Sequence, residues 1–508
     1  MSEGAAKKEE RRKFQAIKGT RDLLPPETAL WNRVERIAQE VFTSYGFGEI
    51  RLPIFEQTDL FARSIGAETD VVSKEMYTFE EKATELPSPR PFFTPRGYTP
   101  ALEEAFQANP GFNTPENRRR LALLKDHLST LEQAEVRRDA KASSAAYDHY
   151  VAVLETILQG DRVSLRPEAT ASVCRAYIEH NMQQLPQPVK LYTIGLMFRR
   201  ERPQKGRYRQ FYQIDAEVLG GSDAPGIDAE LIEMVMTFFK RLGLEGVELD
   251  INSIGDKQCR PKYVELLRAE LRRVKDKLGP DSQRRIETNP LRVLDSKLEN
   301  EQKLIGGMPH IADHLCEECA ENYRGVKKEL ELRGVKYREN WRLVRGLDYY
   351  SRTTFEITAK GLGSQNAVCG GGRYDGLMEL LGGPPTRATG FAIGEDRLIL
   401  SLQEAGKRPA AKGRDVYIAW MGEKAYTKAV QAAKNLRAAG FSVELPPVEQ
   451  KFGKALGQAD KLGARYALIL GDNEVASGEW TLKTLATGEQ AKFTEPTLLD
   501  FLQENNAV

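Results

Sequence analysis

The chain has few cysteines and almost no net charge. Five cysteines occur in 508 residues, and 74 Lys and Arg nearly balance 73 Asp and Glu, which leaves a net charge of +1. Scattered cysteines argue against a disulfide framework and favour a reducing cytoplasm. No apolar run approaches the roughly 20 residues that cross a bilayer. Residues 1–13 alternate basic and acidic side chains, so we expect a flexible tail there and no signal peptide.

Two common nucleotide-binding motifs are also missing. The sequence has neither a Gly-x-x-x-x-Gly-Lys-Ser/Thr loop nor a Gly-x-Gly-x-x-Gly turn after a strand. A phosphate-binding loop and a dinucleotide-binding fold are therefore excluded. Any nucleotide would instead bind through arginines on an antiparallel sheet.

One short segment concentrates positive charge. Residues 199–209 contain five arginines, one lysine and one glutamate, with Gly206 and Pro203 interrupting them. Strand-like apolar segments, 189–198 and 211–218, flank the segment on both sides. A solvated loop is one interpretation, but this setting favours a polyphosphate or a nucleic-acid backbone as the partner.

Three arginines stand in distinctive local patterns. Arg199 ends a predicted strand, Arg345 precedes a glycine, and Arg397 follows a strand-turn-helix pattern that begins at Gly390. Arginine binds phosphate oxygens with two parallel hydrogen bonds and stays charged when buried. Each arginine alone is more often structural. If the three converge, they would suit a triphosphate that undergoes in-line displacement.

Hydrophobic periodicity predicts several domains. We predict a flexible tail (1–13), an antiparallel-sheet domain (14–79, 161–255 and 339–406), a helical-hairpin insertion (80–160), a helical subdomain (256–338) and a C-terminal α/β domain (413–508). Within the sheet domain we expect hairpin strands at 76–79 and 163–166 and a strand at 341–344. For the insertion we weigh a tRNA grip against a neutral appendage and favour the appendage.

The motifs together resemble a known family. The helix-strand unit that ends at Pro53, the stretch from Phe198 to Phe211, and Gly390 to Arg397 are similar to motifs 1, 2 and 3 of class II aminoacyl-tRNA synthetases. Residues 345–350 and 371–375 resemble the signatures of bacterial histidyl-tRNA synthetases. The resemblance runs from about Phe14 to the C-terminus, apart from the insertion.

This resemblance implies a fold and an activity. The fold would be α+β, with a class II antiparallel-sheet catalytic domain, a helical insertion and a C-terminal α/β anticodon-binding domain. The activity would be ATP-dependent ligation of L-histidine to tRNA(His) through histidyl-adenylate, by a cytoplasmic homodimer that uses Mg²⁺ with its ATP. Arg199, Arg345 and Arg397 would be the catalytic residues.

The resemblance also assigns the histidine-binding residues. These are Glu168, Ala169, Thr170, Arg199, Gln213, Glu217, Arg345, Tyr349 and Tyr350. Glu168, Thr170 and Gln213 would bind the α-ammonium group, whereas Glu217 and Tyr350 would bracket the imidazole with Tyr349 beside it. Arg345 would take a charge-stabilising position that a metal ion fills in other class II enzymes.

ATP and tRNA have their own implied contacts. The ATP-binding residues are Arg199, Glu201, Arg207, Phe211 and Arg397. Arg199 would contact the α-phosphate, Glu201 the adenine amino group, and Arg397 the γ-phosphate, while Phe211 would stack on the adenine. Arg202 and Gln204 would contact the acceptor end of the tRNA.

The sequence departs from the family pattern in places. Ala169 stands where a glycine is usual, and Glu395-Asp396 stands where Leu-Glu is frequent. His310, His314, Cys316 and Cys319 have a spacing that could hold zinc. Because we find no second paired motif, we favour a packed helical subdomain and predict no protein-bound metal.

Two other functions remain as alternatives. A non-catalytic regulatory paralogue would sense histidine or tRNA, and a generic RNA-binding protein would need only the basic loop. Regulatory relatives typically lack the C-terminal domain or the arginine motifs. Since this chain keeps both, we favour catalysis.

Overall fold

A computed structural model describes residues 14–66, 69, 71–82, 94–108, 115–347, 349–359, 366–407 and 413–505. The expected tail, residues 1–13, lies outside the described residues. The chain divides into two compact units, Met1–Asp22 with Val34–Gly406 and Leu23–Arg33 with Lys407–Val508. No helix in the described ranges is both long enough and apolar enough to cross a membrane.

The larger unit combines sheets and helices. Its elements, with α1 shared between the units, are α1 (Glu27–Ser44), β1 (Gly48–Glu49), β2 (Phe55–Gln57), α2 (Thr58–Ile65), β3 (Tyr77–Lys82), α3 (Pro95–Ala108), α4 (Pro115–Val136), α5 (Ala140–Leu158), β4 (Gln159–Leu165), α6 (Thr170–Glu179), β5 (Val189–Phe198), β6 (Gln210–Leu219), α7 (Pro225–Leu242), β7 (Glu248–Ser253), α8 (Arg260–Arg273), α9 (Pro280–Thr288), α10 (Glu299–Ile305), α11 (Glu317–Leu332), β8 (Arg338–Glu339), β9 (Ser351–Thr358), β10 (Ala367–Arg373), α12 (Leu377–Leu380), β11 (Ala388–Gly394) and α13 (Glu395–Glu404).

An eight-stranded sheet forms the centre of this unit. Its strand order is β1-β5-β6-β11-β10-β9-β7-β8. The six inner strands pair antiparallel, whereas β1 and β8 pair parallel at the two edges. The two strands predicted beside the basic loop are β5 and β6, which pair along their whole length. The α+β prediction for the fold is confirmed.

Helices α1 and α7 cover one face of the central sheet. Phe42 of α1 packs its ring against Tyr192 of β5, Phe238 of α7 and Phe391 of β11, with centroids 5.6 to 5.8 Å apart. Successive strand residues point to opposite faces. The neighbours of Phe391, Gly390 and Ala392, therefore face the other side, where the candidate site lies.

The insertion carries a helix that its sequence conceals. Strands β3 and β4 form the predicted antiparallel hairpin, with Tyr77 opposite Leu165. Between them α4 and α5 form the predicted helical hairpin, but a further helix, α3, runs through Pro100, and an internal proline is a local signal against a helix. Tyr98, Leu102 and Phe106, four residues apart, bury one face of α3 among apolar side chains of α4 and α5. This burial outweighs the helix-breaking effect of an internal proline.

The helical segment after β7 contains α8 to α11. The strand predicted at 341–344 is wrong, because these residues form a turn and an extended segment. The side-chain amide of Asn252 donates to the carbonyls of Trp341 and Leu343, at 3.2 and 3.0 Å. The Asn252 side chain therefore makes the hydrogen bonds to these carbonyls that the backbone of a neighbouring strand would otherwise make.

The smaller unit is an α/β fold. Its elements are β12 (Val416–Trp420), α14 (Glu423–Ala438), β13 (Val443–Glu444), α15 (Phe452–Lys461), β14 (Tyr466–Leu470), α16 (Asp472–Ser477), β15 (Trp480–Thr484), β16 (Gln490–Phe493) and α17 (Glu495–Glu504). The sheet order is β13-β12-β14-β15-β16. Alternate residues of β12 pack on opposite faces, Ile418 in the cluster with α14 and Tyr417 in the cluster with α15. The order β12-α14-β13-α15-β14 agrees with the predicted α/β fold of the C-terminal domain.

Candidate active site

Glycines on the open face of the central sheet make room for charged side chains. The acidic and polar side chains of β6 on this face alternate with core residues; they are Gln213, Asp215 and Glu217. Gly390 lies opposite Glu217 in β11, and a Cβ there would overlap the Glu217 carboxylate. A Cβ at Gly370 would overlap the guanidinium of Arg345 in the same way. Both positions therefore require glycine because a charged group occupies the space above the strand.

The buried carboxylate of Glu217 lies among three tyrosines, Tyr349, Tyr350 and Tyr374, and we call this group of side chains the slot. Its Oε1 accepts a hydrogen bond from Thr170 Oγ1 at 2.6 Å, and its Oε2 accepts one from Tyr374 Oη at 2.5 Å. Burial raises the pKa of Glu217, while these two donors lower it. The rings of Tyr349 and Tyr350 lie side by side with centroids 4.8 Å apart, and Tyr349 also contacts Tyr374 edge-on. A flat polar ring would meet a carboxylate and phenols here.

A second carboxylate lies at the start of α6. Glu168 accepts hydrogen bonds from the backbone N–H groups of Thr170 and Ala171, at 2.8 and 3.0 Å. Burial raises the pKa of Glu168, and the nearby Arg199 opposes this rise. The Oε1 atom of Gln213 is buried and has no hydrogen-bond partner among the described residues. A buried acceptor without a donor is costly, so an ammonium ligand would satisfy it.

The other end of the cleft collects arginines. Arg199 donates from Nε to the carbonyl of Pro167 at 2.9 Å, and its guanidinium lies 5.4 Å from the centroid of the Phe211 ring. Arg207 donates to Glu201 at 3.0 Å across the hairpin between β5 and β6. Phe211, Glu201 and the two arginines thus lie on one hairpin.

Arg397 joins this group from the first turn of α13. Its guanidinium donates to the carbonyl of Ala367 at 3.1 Å and that of Gly206 at 3.4 Å. Burial lowers the pKa of Arg397, and the positive charges of Arg207 and Arg199 lower it further. Three guanidinium groups that repel one another form a site for a polyanion.

Arg345 connects the two ends. Its guanidinium donates to Glu356 of β9 at 3.0 Å and lies 5.9 Å from the centroid of the Tyr350 ring. Glu356 also acts electrostatically on Arg397. The contacts therefore lead from the Tyr350 slot through Arg345 and Glu356 to Arg397 and Arg199. The three arginines singled out in the sequence are therefore connected by one ion pair and by electrostatic interactions with Glu356 and with one another.

The remaining sequence candidates lie near this cleft in different settings. Ala169 is fully buried immediately before α6. Arg202 and Gln204 are exposed at the tip of the β5–β6 hairpin, where Gln204 pairs with Arg207 through the backbone. Their exposure leaves them accessible to a macromolecular partner.

Sequence reasoning missed three residues of the cleft. Tyr374 donates to Glu217, and Glu356 pairs with Arg345. Asp215 is buried on β6, two residues before Glu217. Burial raises the pKa of Asp215, and the charge of Glu168 raises it further. The alternation of polar residues at 213, 215 and 217 is the signal that could have identified Asp215. Nothing local in the sequence marks Glu356.

Comparisons with known proteins match both units. Residues 155–403 match the family model of the tRNA synthetase class II core domain (G, H, P, S and T), and residues 415–505 match the anticodon binding domain. The histidine–tRNA ligase of Solibacter usitatus is 46% identical over 482 residues, which cover 95% of this chain and 97% of that protein. The chain belongs to the histidine–tRNA ligase family. Its members are ATP-dependent aminoacyl-tRNA ligases, so the family, the activity and the ATP substrate predicted from the motifs are confirmed.

Other members of the histidine–tRNA ligase family agree. The ligase of Koribacter versatilis is 44% identical over 498 residues, 97% of each chain. The crystal structure of apo Staphylococcus aureus histidyl-tRNA synthetase covers 96% of this chain and 100% of that chain, with 32% identity and a TM-score of 0.68. The match extends across the anticodon-binding domain, which the regulatory alternative would typically lack.

Proposed function

We propose that the cleft activates L-histidine with ATP and that its residues take the roles that the family motifs imply. One observation carries this proposal. An acid-lined slot and a group of repelling arginines share one cleft, with Arg345 between them. The ammonium group and the imidazole ring of histidine would contact the acids and tyrosines of the slot. The phosphates of ATP would neutralise the arginines.

The activation step moves negative charge along the phosphates. A carboxylate oxygen of histidine attacks the α-phosphorus, the bond from that phosphorus to the bridging oxygen breaks, and pyrophosphate leaves. Arg199 holds the α-phosphate and the carboxylate, Arg345 stabilises the developing charge, and Arg397 holds the γ-phosphate. Preorganised cations of this kind typically contribute a few kcal/mol each.

Adenine binds at the base of the hairpin in this proposal. Phe211 stacks on one face of the base, and Glu201 accepts from its amino group. Arg207 keeps Glu201 in place through their 3.0 Å ion pair. Mg²⁺ accompanies ATP, and the Glu356 carboxylate offers the type of oxygen ligand that Mg²⁺ prefers.

Selection of histidine follows from paired polar groups. Glu217 accepts from one imidazole nitrogen, and Tyr350, with Tyr349 beside it, contacts the other edge of the ring. Glu168, Thr170 and Gln213 bind the α-ammonium, and Ala169 closes the floor of that pocket. An apolar amino acid would leave these buried groups unpaired, which gives strong discrimination.

Transfer to tRNA(His) uses the exposed part of the hairpin. Arg202 and Gln204 contact the acceptor end while the terminal ribose hydroxyl attacks the aminoacyl carbonyl and AMP leaves. The anticodon-binding domain, residues 413–508, reads the far end of the tRNA. The insertion, residues 80–160, and the helical subdomain, residues 256–338, complete the proposed domain division.

The proposal includes a cytoplasmic homodimer. All five cysteines are free thiols, which suits a reducing compartment. The α1 unit before Pro53 resembles the class II motif that builds a dimer interface. Light scattering of the purified chain should give twice the mass of one chain, and a monomer over the working concentration range would contradict the dimer.

ATP–pyrophosphate exchange with each of the twenty amino acids tests the function. We expect exchange with histidine alone. Exchange with another amino acid would contradict the slot assignment. No exchange at all, together with histidine or tRNA binding, would favour the regulatory alternative.

A further inference from the structure

Four side chains outside the cleft bring their donor atoms together. Asp256, Cys259, Cys316 and Cys319 lie in the helical subdomain, and their carboxylate oxygen and sulfur atoms are all within 4.8 Å of one another. We propose that these four residues bind one structural zinc ion. None of the four residues belongs to the catalytic machinery described above.

The sequence pattern fits a zinc site with two paired motifs. Cys316 and Cys319 are separated by two residues, and so are Asp256 and Cys259. An aspartate fills the first position of the second motif, so cysteine and histidine spacing alone does not reveal it. His310 and His314 belong elsewhere: His310 stacks on Trp341 with ring centroids 4.0 Å apart, and His314 lies against Tyr263.

The geometry is close to what a tetrahedral ion requires. Sulfurs bound to zinc at about 2.3 Å lie roughly 3.8 Å from one another. Here Cys259 Sγ is 3.5 Å from Asp256 Oδ1, and Cys316 Sγ is 4.0 Å from Asp256 Oδ2. An ion at the centre therefore needs only small side-chain movements.

Two helix N-termini face the cluster. Cys259 directly precedes α8 and Cys316 directly precedes α11, so two helix N-termini point their positive ends at the cluster. The backbone N–H of Asp256 points at Cys259 Sγ from 3.5 Å. Arg352 also lies near Cys319 but already pairs with Asp223 at 2.9 Å. The two helix N-termini would therefore offset part of the charge that three thiolates and one carboxylate leave around a divalent ion.

The donor set selects the metal. Three sulfurs and one oxygen suit zinc, whereas Mg²⁺ and Ca²⁺ take oxygen ligands. Four protein ligands leave no open position for a substrate, so the ion would be structural. It would join the start of α8 to the start of α11, which are more than fifty residues apart in the sequence.

Backbone hydrogen bonds connect the proposed zinc site to the segment that carries the slot tyrosines. The carbonyl of Gly255 accepts from the N–H of Arg352 at 2.8 Å, and the N–H of Ile254 donates to the carbonyl of Arg352 at the same distance. Arg352 follows Tyr350 by two residues. Loss of the ion should therefore loosen the subdomain and the end of the slot next to it.

Metal analysis of the full-length chain tests the site. Protein purified in a reducing buffer should contain about one zinc ion per chain, and Cys316→Ser with Cys319→Ser should reduce this content to less than about a tenth. The matched control is His310→Gln with His314→Gln, which should keep the zinc. Loss of zinc in the histidine variant but not in the cysteine variant would overturn the proposed ligands.

Two further measurements guard against a variant that merely fails to fold. Asp256→Cys should hold zinc longer against a chelator than the unsubstituted chain, because a thiolate replaces the weaker ligand. Cobalt-loaded protein should show a sulfur-to-cobalt charge-transfer band that falls by about a third in Cys259→Ser. A chain that takes up neither zinc nor cobalt, or that forms a disulfide within the cluster in the reducing buffer, would refute the site.

Discussion

The two ends of the cleft hold opposite charges and satisfy them differently. At the slot, Glu168 and Glu217 are buried and already accept hydrogen bonds from fixed neutral donors. At the phosphate end, Arg199 and Arg207 share the carboxylate of Glu201, and burial together with the charges of Arg207 and Arg199 lowers the pKa of Arg397. The acids of the slot thus have their donors before a ligand arrives, whereas the arginines keep positive charge that a ligand can neutralise.

This difference separates selection from catalysis. Fixed donors hold Glu217 in one orientation, which suits discrimination between side chains of similar size. Preorganised cations that are only partly neutralised stabilise charge that develops during the reaction, which suits rate enhancement. Substitutions at the two ends should therefore affect different kinetic parameters.

The largest effect is expected at the residue between the two ends. Arg345→Ala should reduce histidine-dependent ATP–pyrophosphate exchange by at least about 10²–10³-fold, since it removes a preorganised cation from the reacting phosphate. Circular dichroism should be unchanged. Arg272→Ala, which breaks a surface ion pair with Glu287, is the control and should keep full activity. Normal exchange by Arg345→Ala would contradict the proposed role of Arg345 at the reacting phosphate.

A smaller loss is expected at the phosphate end. Arg397→Gln should lower kcat/KM for ATP by about 10²-fold and leave KM for histidine nearly unchanged, because the lost charge faces only the triphosphate. Exchange rates measured while each substrate is varied in turn check this. Equal effects on both substrates would mean that the ends do not act separately.

A reversed pattern is expected in the slot. Glu217→Gln should raise KM for histidine by roughly 10- to 100-fold and leave KM for ATP unchanged, because an amide offers only one acceptor where Thr170 and Tyr374 both donate. Tyr374→Phe should have a milder effect of the same kind. If Tyr374→Phe instead changed KM for ATP, Tyr374 would not act through Glu217.

The smallest effect concerns a buried acid beside the phosphate end. Both carboxylate oxygens of Glu395 lack hydrogen-bond partners among the described residues. Burial raises the pKa of Glu395 well above its usual value of 4.5, and the charges of Glu35 and Asp396 raise it further. Glu395→Leu should therefore stabilise the protein by about 1–3 kcal/mol near neutral pH.

The stabilisation by Glu395→Leu should depend on pH. A folded-state pKa above the unfolded one means that the stability contribution of Glu395 is present below pH 4.5 and is lost as the pH rises through the folded pKa. The rise in Tm caused by Glu395→Leu should accordingly be larger at pH 8 than at pH 5. The exposed Glu245→Leu is the control and should change Tm little at either pH.

Local sequence patterns were sufficient for much of the fold. The apolar alternation of 189–198 and 211–218 gave β5 and β6, and the helical periodicity of the C-terminal region gave α14 and α15. The same reasoning failed at 341–344, where the Asn252 amide holds the backbone, and at Pro100, where burial overrides the local preference. Both failures have the same cause, since the deciding partner is distant in the sequence.

The amino-acid sequence determined which chemistry is available, because residue types and short spacings survive without a fold: the basic hairpin, the three arginines and the Cys316–Cys319 pair. Only the tertiary structure decided which of these groups meet. Strand β9 brings Glu356 to Arg345, β10 brings Tyr374 to Glu217, and the start of α8 brings Asp256 to the cysteines of α11. Such meetings depend on strand order and helix packing, which are set by burial over the whole core and not by any local pattern.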